Sequence, residues 1–319
     1  MRENSVNSIQ ICALSDGRAG NVRQVEALGG AFAHDFSELI LEPQSPWRWA
    51  APRRWPGAER AYGDAFAALL DTPPRIAIGC GRQAALATRL LRERGTKAVQ
   101  ILDPRIDPKH WDLIVVPEHD RLRGPNVITT LGSLHPIDDA WLARARTEFA
   151  TFSELPRPIN AVLLGGSSRH ARFDRMAFEV LASKLEAVLA REGGSVLLTA
   201  SRRTPKELRD VLKHRYDDTP GVIWRNSKDG RNPYAGLLAW ADRIICSPDS
   251  VNMVTEACAT RAPVFVFDPG RVRGRPHAFL DTLLSRGRIR AMDARLDAFD
   301  VEPLRETARV ASAIRECLG

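Results

Sequence analysis

The stretch that decides the fold is NPYAGLLAWADRIICSPDSVNMVTEACATRAPVFVFDPG, residues 232–270. A helical pattern over Pro233–Ala241 leads into the short apolar strand Arg243–Cys246, and a Pro-Asp-Ser turn then opens a second helix over Ser250–Ala259. The apolar run Val264–Phe267 follows as the next strand. Strands that alternate with helices in this way are typical of βαβ units, in which helices cover a parallel sheet.

The same alternation extends outward over the rest of the chain, and apolar runs such as IAIG and LIVV are continuous, as in strands buried on both faces. Further strands are predicted at Gln10–Leu14, Glu38–Leu41, Arg75–Gly79, Ala98–Leu102, Asp112–Val116, Val127–Thr130, Ala161–Leu164, Val196–Thr199 and Val222–Trp224. Further helices are predicted at Gln24–Ala33, Tyr62–Leu70, Gln83–Arg94, Asp138–Phe149, Arg175–Glu192, Pro205–His214, Pro276–Ser285 and Glu302–Cys317. The pattern therefore predicts an α/β protein with two consecutive doubly wound sheets.

The boundary between the two arrays is predicted at LPRPINAVLLGG, residues 155–166. Pro156 and Pro158 interrupt the preceding helix, and a new buried strand begins directly after them. A length of 319 residues also exceeds what one hydrophobic core usually holds. We therefore expect one domain over residues 1–155 and a second domain from residue 156.

The overall composition is that of a globular protein, with 44% hydrophobic and 27% charged residues. No apolar run approaches the roughly 18 residues of a membrane span, and the amino terminus lacks the pattern of a secretory signal. The five cysteines are scattered and include no CxxC pair, which argues against a disulfide framework and a structural zinc site. These features predict a soluble cytoplasmic protein without a metal site.

The net charge of +7 lies entirely in residues 156–319, and most of the basic residues are arginines, whose planar guanidinium groups suit phosphate recognition. Neither a basic run nor an aromatic RNA-binding signature is present, so nucleic acid is not a predicted partner. A phosphorylated small molecule or an anionic membrane surface fits better. The loop PQSPWRWAAPRRWPG, residues 43–57, is either a packed surface loop or a peripheral membrane contact.

Two glycine-containing turns each follow a predicted strand and precede a helix. SDGRAGN spans residues 15–21, and LLGGSSRHARFD spans residues 163–174. Glycines there let backbone amides approach a ligand, and a helix amino terminus favours negative charge. Neither turn is GxGxxG, so a dinucleotide fold is not indicated. For Asp16 and Asn21, simple turn and cap roles remain an alternative.

Two further segments lie at strand carboxyl ends, where open α/β sheets bind ligands. The first is SRRT, residues 201–204, whose two arginines are either phosphate contacts or a solvated charge pair. The second is the Pro-Asp-Ser turn, in which Asp249 or Ser250 caps the following helix. Glu256 lies on the second turn of that helix, where a carboxylate can bridge the two hydroxyls of a ribose.

The chain resembles the mitochondrial fission ELM-like family, whose fold is that of GT-B glycosyltransferases. The segments that carry this resemblance are SDGRAGNVRQVEAL, IGCGRQAA, QILDPR, DLIVVPEHD, GPNVITTLGSLH, LLGGSSRH, TASRRTP, NPYAGLLAWADRI and PDSVNMVTEACATRAPVFVF. They occur in order over nearly the whole chain. The last segment departs from the family pattern at Asn252 and Arg261, where Ser and Gly are typical.

The resemblance implies two Rossmann-like domains facing a cleft, with residues 156–301 holding the nucleotide and helix 302–317 returning to the first domain. The implied contacts to a nucleotide-diphosphate sugar are Gly165, Gly166, Ser167, Ser168, Arg202, Arg203, Tyr234, Ser250, Val251, Met253 and Glu256. The implied acceptor side of the first domain contains Gly17, Gly20, Asn21, Gly81 and Arg82.

The favoured function is metal-independent and cofactor-free sugar transfer to a lipid or envelope-glycan acceptor. In that reaction helix dipoles and basic side chains stabilise the leaving diphosphate. The acceptor hydroxyl needs a base from the first domain, for which Asp16 and His119 are the candidates. Two alternatives remain open: a UDP-sugar epimerase, and a non-enzymatic nucleotide-binding scaffold or membrane-fission adaptor.

Overall fold

The computed structural model describes residues 11–33 and 36–318. Within these residues the strands are β1 Ile11–Ser15, β2 Ser37–Ile40, β3 Ile76–Cys80, β4 Lys97–Ile101, β5 Leu113–Pro117, β6 Val127–Thr130, β7 Ile159–Leu164, β8 Ser195–Ala200, β9 Gly221–Trp224, β10 Arg243–Cys246, β11 Val264–Val266 and β12 Ile289–Ala291. Every predicted strand is present, with ends shifted by at most two residues. Gln10 of the first predicted strand lies outside the described residues.

The helices alternate with these strands. Their bounds are α1 Ala19–Phe32, α2 Trp47–Ala50, α3 Gly63–Asp71, α4 Arg82–Arg92, α5 Asp139–Glu148, α6 Arg175–Glu192, α7 Lys206–Val211, α8 Tyr234–Trp240, α9 Val251–Cys258, α10 Arg275–Ser285 and α11 Thr307–Leu318. None of the helices in the described part of the chain is long and apolar enough to cross a membrane.

The first sheet has the strand order β2-β1-β3-β4-β5-β6, and all neighbouring strands are parallel. Its central strands are buried on both faces because helices cover each side. One core cluster joins the sheet to α1 and α11 through Leu28 and Ile314. Another joins it to α3 and α4 through Phe66 and Leu90.

The second sheet has the order β12-β11-β10-β7-β8-β9 and is also parallel throughout. Its longest helix, α6, is capped by Asp174, whose side chain accepts a hydrogen bond from the Ala177 amide at 3.0 Å. Phe178, Leu181 and Leu185 follow at helical spacing, so one face of α6 is fully buried against the sheet. Two doubly wound parallel sheets are therefore confirmed.

The chain divides into two compact units, which differ from the predicted domains in their boundaries. The first unit comprises the residues up to Pro136 together with those from Glu306 onward, and the second comprises Ile137–Arg305. Helix α5 thus belongs to the second unit rather than the first, because it packs on α8: the Arg146 Nε donates to the Ala239 carbonyl at 2.9 Å. The carboxy-terminal helix α11 belongs to the first unit.

Four elements differ from the sequence-based interpretation. Helix α2 lies in the segment 43–57, which was interpreted as a loop, and helix α1 begins at Ala19 rather than at Gln24. Strand β12 was not predicted, because only Ile289 of its three residues is buried and no apolar run marks it. Helix α11 begins at Thr307 rather than at Glu302. The preceding segment is held in an extended path instead, since the Leu304 amide donates to the Cys258 carbonyl at 2.7 Å and the Arg305 Nε to the Ala259 carbonyl at 3.0 Å.

Candidate functional site

In the second unit, the strand order reverses direction between β7 and β10. From β7 the chain continues through β8 to β9 on one side, whereas β10, β11 and β12 lie on the other side. The loops that follow β7 and β10 diverge at such a switch point and leave a crevice at the carboxyl edge of the sheet, which is where open α/β sheets bind ligands. The predicted glycine turn follows β7, and the Pro-Asp-Ser turn follows β10.

Gly165 and Gly166 allow these two loops to pack directly on one another. The Gly165 amide donates to Ser247 Oγ at 2.7 Å, and the Gly166 amide donates to Asp249 Oδ2 at 3.1 Å. A Cβ atom on Gly165 would lie 2.2 Å from the Asp249 carboxylate, and one on Gly166 would lie 2.0 Å from the Arg203 carbonyl oxygen. These positions therefore need glycine for close packing within the protein, whether or not a ligand binds.

The serines of the same turn organise the rest of the loop. Ser167 Oγ accepts from the Phe173 amide at 3.0 Å, and Ser168 Oγ accepts from the amides of His170 and Ala171. The Ser168 amide itself donates to the Ala171 carbonyl at 2.8 Å. The amides of Gly166 and Ser168 thus bond within the protein, whereas no such bond engages the amide of the exposed Ser167 among the described residues.

Asp249 is the centre of this network, and its side chain is fully buried. Its carboxylate accepts from the Gly166 amide, from Ser247 Oγ at 2.6 Å and from Arg203 Nη2 at 2.6 Å. Asp249 therefore ties together the loops after β7, β8 and β10. It does not cap α9; Ser250 does, by accepting from the Met253 amide at 3.4 Å.

Replacing Asp249 with Ala is expected to lower the free energy of unfolding by about 2–4 kcal/mol, because a buried carboxylate with three donors is removed. Equilibrium denaturation of the variant beside Asp210→Ala measures this loss. Asp210 is an exposed carboxylate that pairs with Lys206 at 2.7 Å, so its replacement removes one acid at little cost. Equal stability of both variants would mean that Asp249 does not tie the loops together.

The two arginines after β8 have different environments. The Arg203 guanidinium forms the ion pair with Asp249 described above. The exposed Arg202 forms no side-chain hydrogen bond or ion pair within the part of the chain that the structure describes. Arg202 is therefore the better placed of the two to meet an incoming phosphate, and a phosphate role for either residue stays a prediction.

Helix α9 brings two predicted residues together. Glu256 is 3% exposed, and the Tyr234 hydroxyl donates to its Oε2 at 2.5 Å. This bond fixes one carboxylate oxygen from the neighbouring helix α8. Val251 and Met253, on the first turn of α9, are half-buried. The structure thus brings Tyr234, Ser250 and Glu256 together around α9, and a ribose role for them stays a prediction.

The first sheet has its own switch point, between β1 and β3. Asp16 follows β1, its side chain is 15% exposed, and its Oδ1 accepts from Asn21 Nδ2 at 2.8 Å and from the Arg18 amide at 3.2 Å. Gly81 follows β3 with a φ of 88°, and a Cβ atom there would lie 2.6 Å from Asn21 Nδ2. The predicted residues Asp16, Asn21 and Gly81 therefore lie together.

Cys80 fixes the orientation of this group. Burial, and after it the Asp16 carboxylate, raises the pKa of the Cys80 thiol well above its ordinary value, so the thiol keeps its proton. Its Sγ donates to Asn21 Oδ1 at 3.5 Å, which directs the Asn21 amino group towards Asp16. Asn21 lies inside α1 and is not a cap residue. Asp16 does form the local turn by accepting from the Arg18 amide, which agrees with the turn role considered for it as an alternative.

The other residues predicted in the first unit are more scattered. Gly17 lies in the turn with a φ of 72°, and Gly20 lies inside α1. Arg82 begins α4 and donates to the Arg48 carbonyl at 3.1 Å. His119 follows β5, with β3 and β4 between it and β1; its side chain is 10% exposed, and its Nε2 lies 4.0 Å from Asp120 Oδ1. The two base candidates therefore follow strands that are not neighbours.

A model of the mitochondrial fission ELM1 family matches residues 19–318. The chain belongs to this family. Mitochondrial fission protein ELM1 of Arabidopsis thaliana is 32% identical over 277 residues, covering 77% of this chain and 64% of its own length. An uncharacterized protein of Rickettsia prowazekii is 24% identical to this ELM1-family chain and covers 97% of it and 99% of its own length.

Solved structures share the fold of this ELM1-family chain at low sequence identity. UDP-GlcNAc 2-epimerase of Methanocaldococcus jannaschii has a TM-score of 0.60 at 12% identity, covering 96% of this chain and 99% of its own. MurG of Acinetobacter baumannii has a TM-score of 0.51 at 11% identity, covering 97% and 91%. The ELM1-family chain therefore has the GT-B architecture of glycosyltransferases and related epimerases.

Proposed function

We propose that the chain is a GT-B-type glycosyltransferase that moves a sugar from a nucleoside-diphosphate sugar to a lipid or envelope-glycan acceptor without a metal ion. The observation that carries this proposal is the convergence at the carboxyl edge of the second sheet. There the glycine turn after β7, the exposed Arg202 after β8 and the beginning of α9 after β10 all follow neighbouring strands.

The donor diphosphate is assigned to this edge because several groups there stabilise negative charge. The amides of the first turn of α9 lie at the positive end of a helix dipole, and a diphosphate is the anion that such a terminus favours. The Ser167 amide and the Arg202 guanidinium add donors on the other side of the switch point. Together they would stabilise the charge that develops as the sugar leaves.

The donor nucleoside is assigned to Glu256 and Tyr234. A carboxylate two turns into α9 accepts hydrogen bonds from vicinal hydroxyls, and the Tyr234 phenol holds it in one orientation. The structural neighbours support a nucleotide sugar as the class of ligand, since one is named as a UDP-GlcNAc 2-epimerase and another was solved with UDP-GlcNAc and UDP.

The acceptor is assigned to the first unit, with Asp16 as its base or positioning group. Asp16 is held by Asn21 at the carboxyl edge of the first sheet and is partly exposed, so a hydroxyl can reach it. A contact with the membrane surface is proposed for the loop at residues 43–57, because Trp49 and Trp55 are 69% and 49% exposed among arginines.

Thermal denaturation in the presence of nucleotide sugars tests the donor site. UDP-GlcNAc, or another UDP- or GDP-sugar of a panel, is expected to raise the Tm by roughly 5–10 °C at about 100 times its Kd, because a ligand that binds only the native state stabilises it. Arg202→Ala should shrink the shift, whereas Arg144→Ala, at another exposed arginine of the second unit, should not. A panel without any shift in Tm would contradict the proposal. If incubation with the protein epimerised the donor sugar without transferring it to an acceptor, the protein would be an epimerase.

A further inference from the structure

A pocket of about 940 Å³ lies in the second unit, where the loop after β7 faces the loop after β11. Small-molecule sites typically have volumes of roughly 300–1,000 Å³, so this pocket is large enough for a ligand. Residues 168–174 with the first turns of α6 form one wall, and residues 267–273 form the other. The Arg273 amide joins the walls by donating to the His170 carbonyl at 2.8 Å.

The pocket carries an excess of positive charge. Its charged lining residues are Arg169, Arg172, Arg271, Arg273, Asp174 and Asp268. Two of the arginines are neutralised locally, since Arg172 Nε lies 2.6 Å from Asp174 Oδ2 and Arg271 Nε lies 2.8 Å from Asp268 Oδ2. The remaining charge of +2 would balance the charge of −2 on a phosphate dianion.

The two arginines that supply this charge lie on opposite walls. Arg169 donates through Nε to the His170 ring at 2.8 Å, which leaves its charge uncompensated. The Arg273 side chain is exposed and makes no hydrogen bond or ion pair with any residue that the structure describes. Guanidinium groups are strong and directional phosphate donors, so the pair is suited to hold a phosphate between the loops.

An apolar rim adjoins the arginines. Met176 and Val180 lie one turn apart on the same face of α6 and are 77% and 47% exposed. Both line the pocket, together with Ala177 and Val272. Such an apolar rim can cover the hydrocarbon part of a ligand whose charged group lies in the pocket. Neither a bare phosphate nor a purely apolar molecule would satisfy both halves of this pocket.

We propose that this pocket binds a phosphorylated amphiphile, with its phosphate between Arg169 and Arg273 and its hydrocarbon chain along Met176 and Val180. The pocket adjoins the proposed donor edge, since Ser168 and Pro248 line it, but neither Arg202 nor Glu256 does. The proposal therefore goes beyond the nucleotide-sugar function and does not rest on it. The shared chemistry is a phosphate ester on a hydrocarbon chain, as in a lipid headgroup or an isoprenoid phosphate.

Calorimetric titration of the full chain with decyl phosphate and with inorganic phosphate tests the proposal. Decyl phosphate is expected to bind about 100-fold more tightly than inorganic phosphate, because covering a few methylene groups contributes that much. Phosphatidylcholine vesicles that contain phosphatidic acid, set against vesicles of phosphatidylcholine alone, distinguish a membrane source from a soluble one. Equal affinity for decyl phosphate and inorganic phosphate would overturn the apolar half of the site.

Variants separate the pocket from the donor site. Arg273→Ala is expected to weaken decyl phosphate binding about tenfold or more, since it removes a charge-assisted contact, whereas Arg144→Ala should not. Met176→Ser should weaken decyl phosphate binding and leave inorganic phosphate binding unchanged. UDP-GlcNAc should still raise the Tm of Arg273→Ala.

Wild-type decyl phosphate affinity in both Arg169→Ala and Arg273→Ala would overturn the site. Competition between UDP and decyl phosphate, with both weakened by Arg273→Ala, would show that the pocket is part of the donor site and would also overturn the proposal. A failure of decyl phosphate to bind, while UDP-GlcNAc stabilises the chain, would reject this inference and leave the proposed function standing.

Discussion

Replacing Asp16 with Asn is expected to lower kcat by about 100-fold or more, because the variant loses the proposed general base. The side chain keeps an oxygen that accepts from Asn21 Nδ2 and from the Arg18 amide, so the turn after β1 should stay folded. Donor affinity should be unchanged, since the donor is assigned to the second unit. The measurement is kcat with saturating donor, together with donor Kd and Tm for the same preparation.

Arg18→Ala is the matched control for this variant. Arg18 Nε lies 3.5 Å from Asp16 Oδ2, but its side chain is 82% exposed, so the loss of this pair should change stability and turnover little. Unchanged kcat in Asp16→Asn would show that Asp16 only forms the turn. His119→Gln would then be the next variant to test, because His119 is the second base candidate.

Replacing Glu256 with Gln is expected to weaken UDP binding by about tenfold to a hundredfold, because the proposed hydrogen bonds from the ribose hydroxyls to the carboxylate are lost. Pyrophosphate has no ribose, so its affinity should not change. The wild type should also prefer UDP over 2′-deoxy-UDP, and the variant should lose most of that preference. Calorimetric titration of the three ligands against both proteins measures these differences.

Tyr234→Phe serves as the companion to this variant. It keeps the carboxylate and removes the phenol that donates to Glu256 Oε2, so UDP affinity should fall less than in Glu256→Gln. A purely structural Glu256–Tyr234 pair would give a different result: both variants would lower the Tm by similar amounts, and the preference for UDP over 2′-deoxy-UDP would be unaffected.

The sheets could be predicted because most of their strands have continuous apolar sequences bounded by turn residues. The strand at Ala161–Leu164 and the helix at Arg175–Glu192 are examples in which local composition and burial agree. The domain boundary could not be predicted in the same way. Helix α5 has few buried residues, and its assignment depends on packing against α8, which lies about 90 residues later in the chain.

The candidate site was predictable as a set of strand ends but not as a set of contacts. Sequence reasoning placed Gly165, Arg203 and Ser250 at carboxyl ends of parallel strands, where the structure has them. It missed the central role of Asp249, because a buried carboxylate that joins three loops depends on the strand order. The Pro-Asp-Ser turn was the available signal, and it was read only as a helix cap.

Hydrogen exchange of the full chain, with and without saturating UDP-GlcNAc, tests whether the second unit binds the donor, because it locates the bound nucleotide sugar by residue. Protection is expected to increase in peptides from the turns after β7, β8 and β10, at residues 165–168, 201–204 and 247–256. Protection confined to residues 15–21 and 80–82 of the first unit, or no protection although UDP-GlcNAc binds, would contradict this expectation.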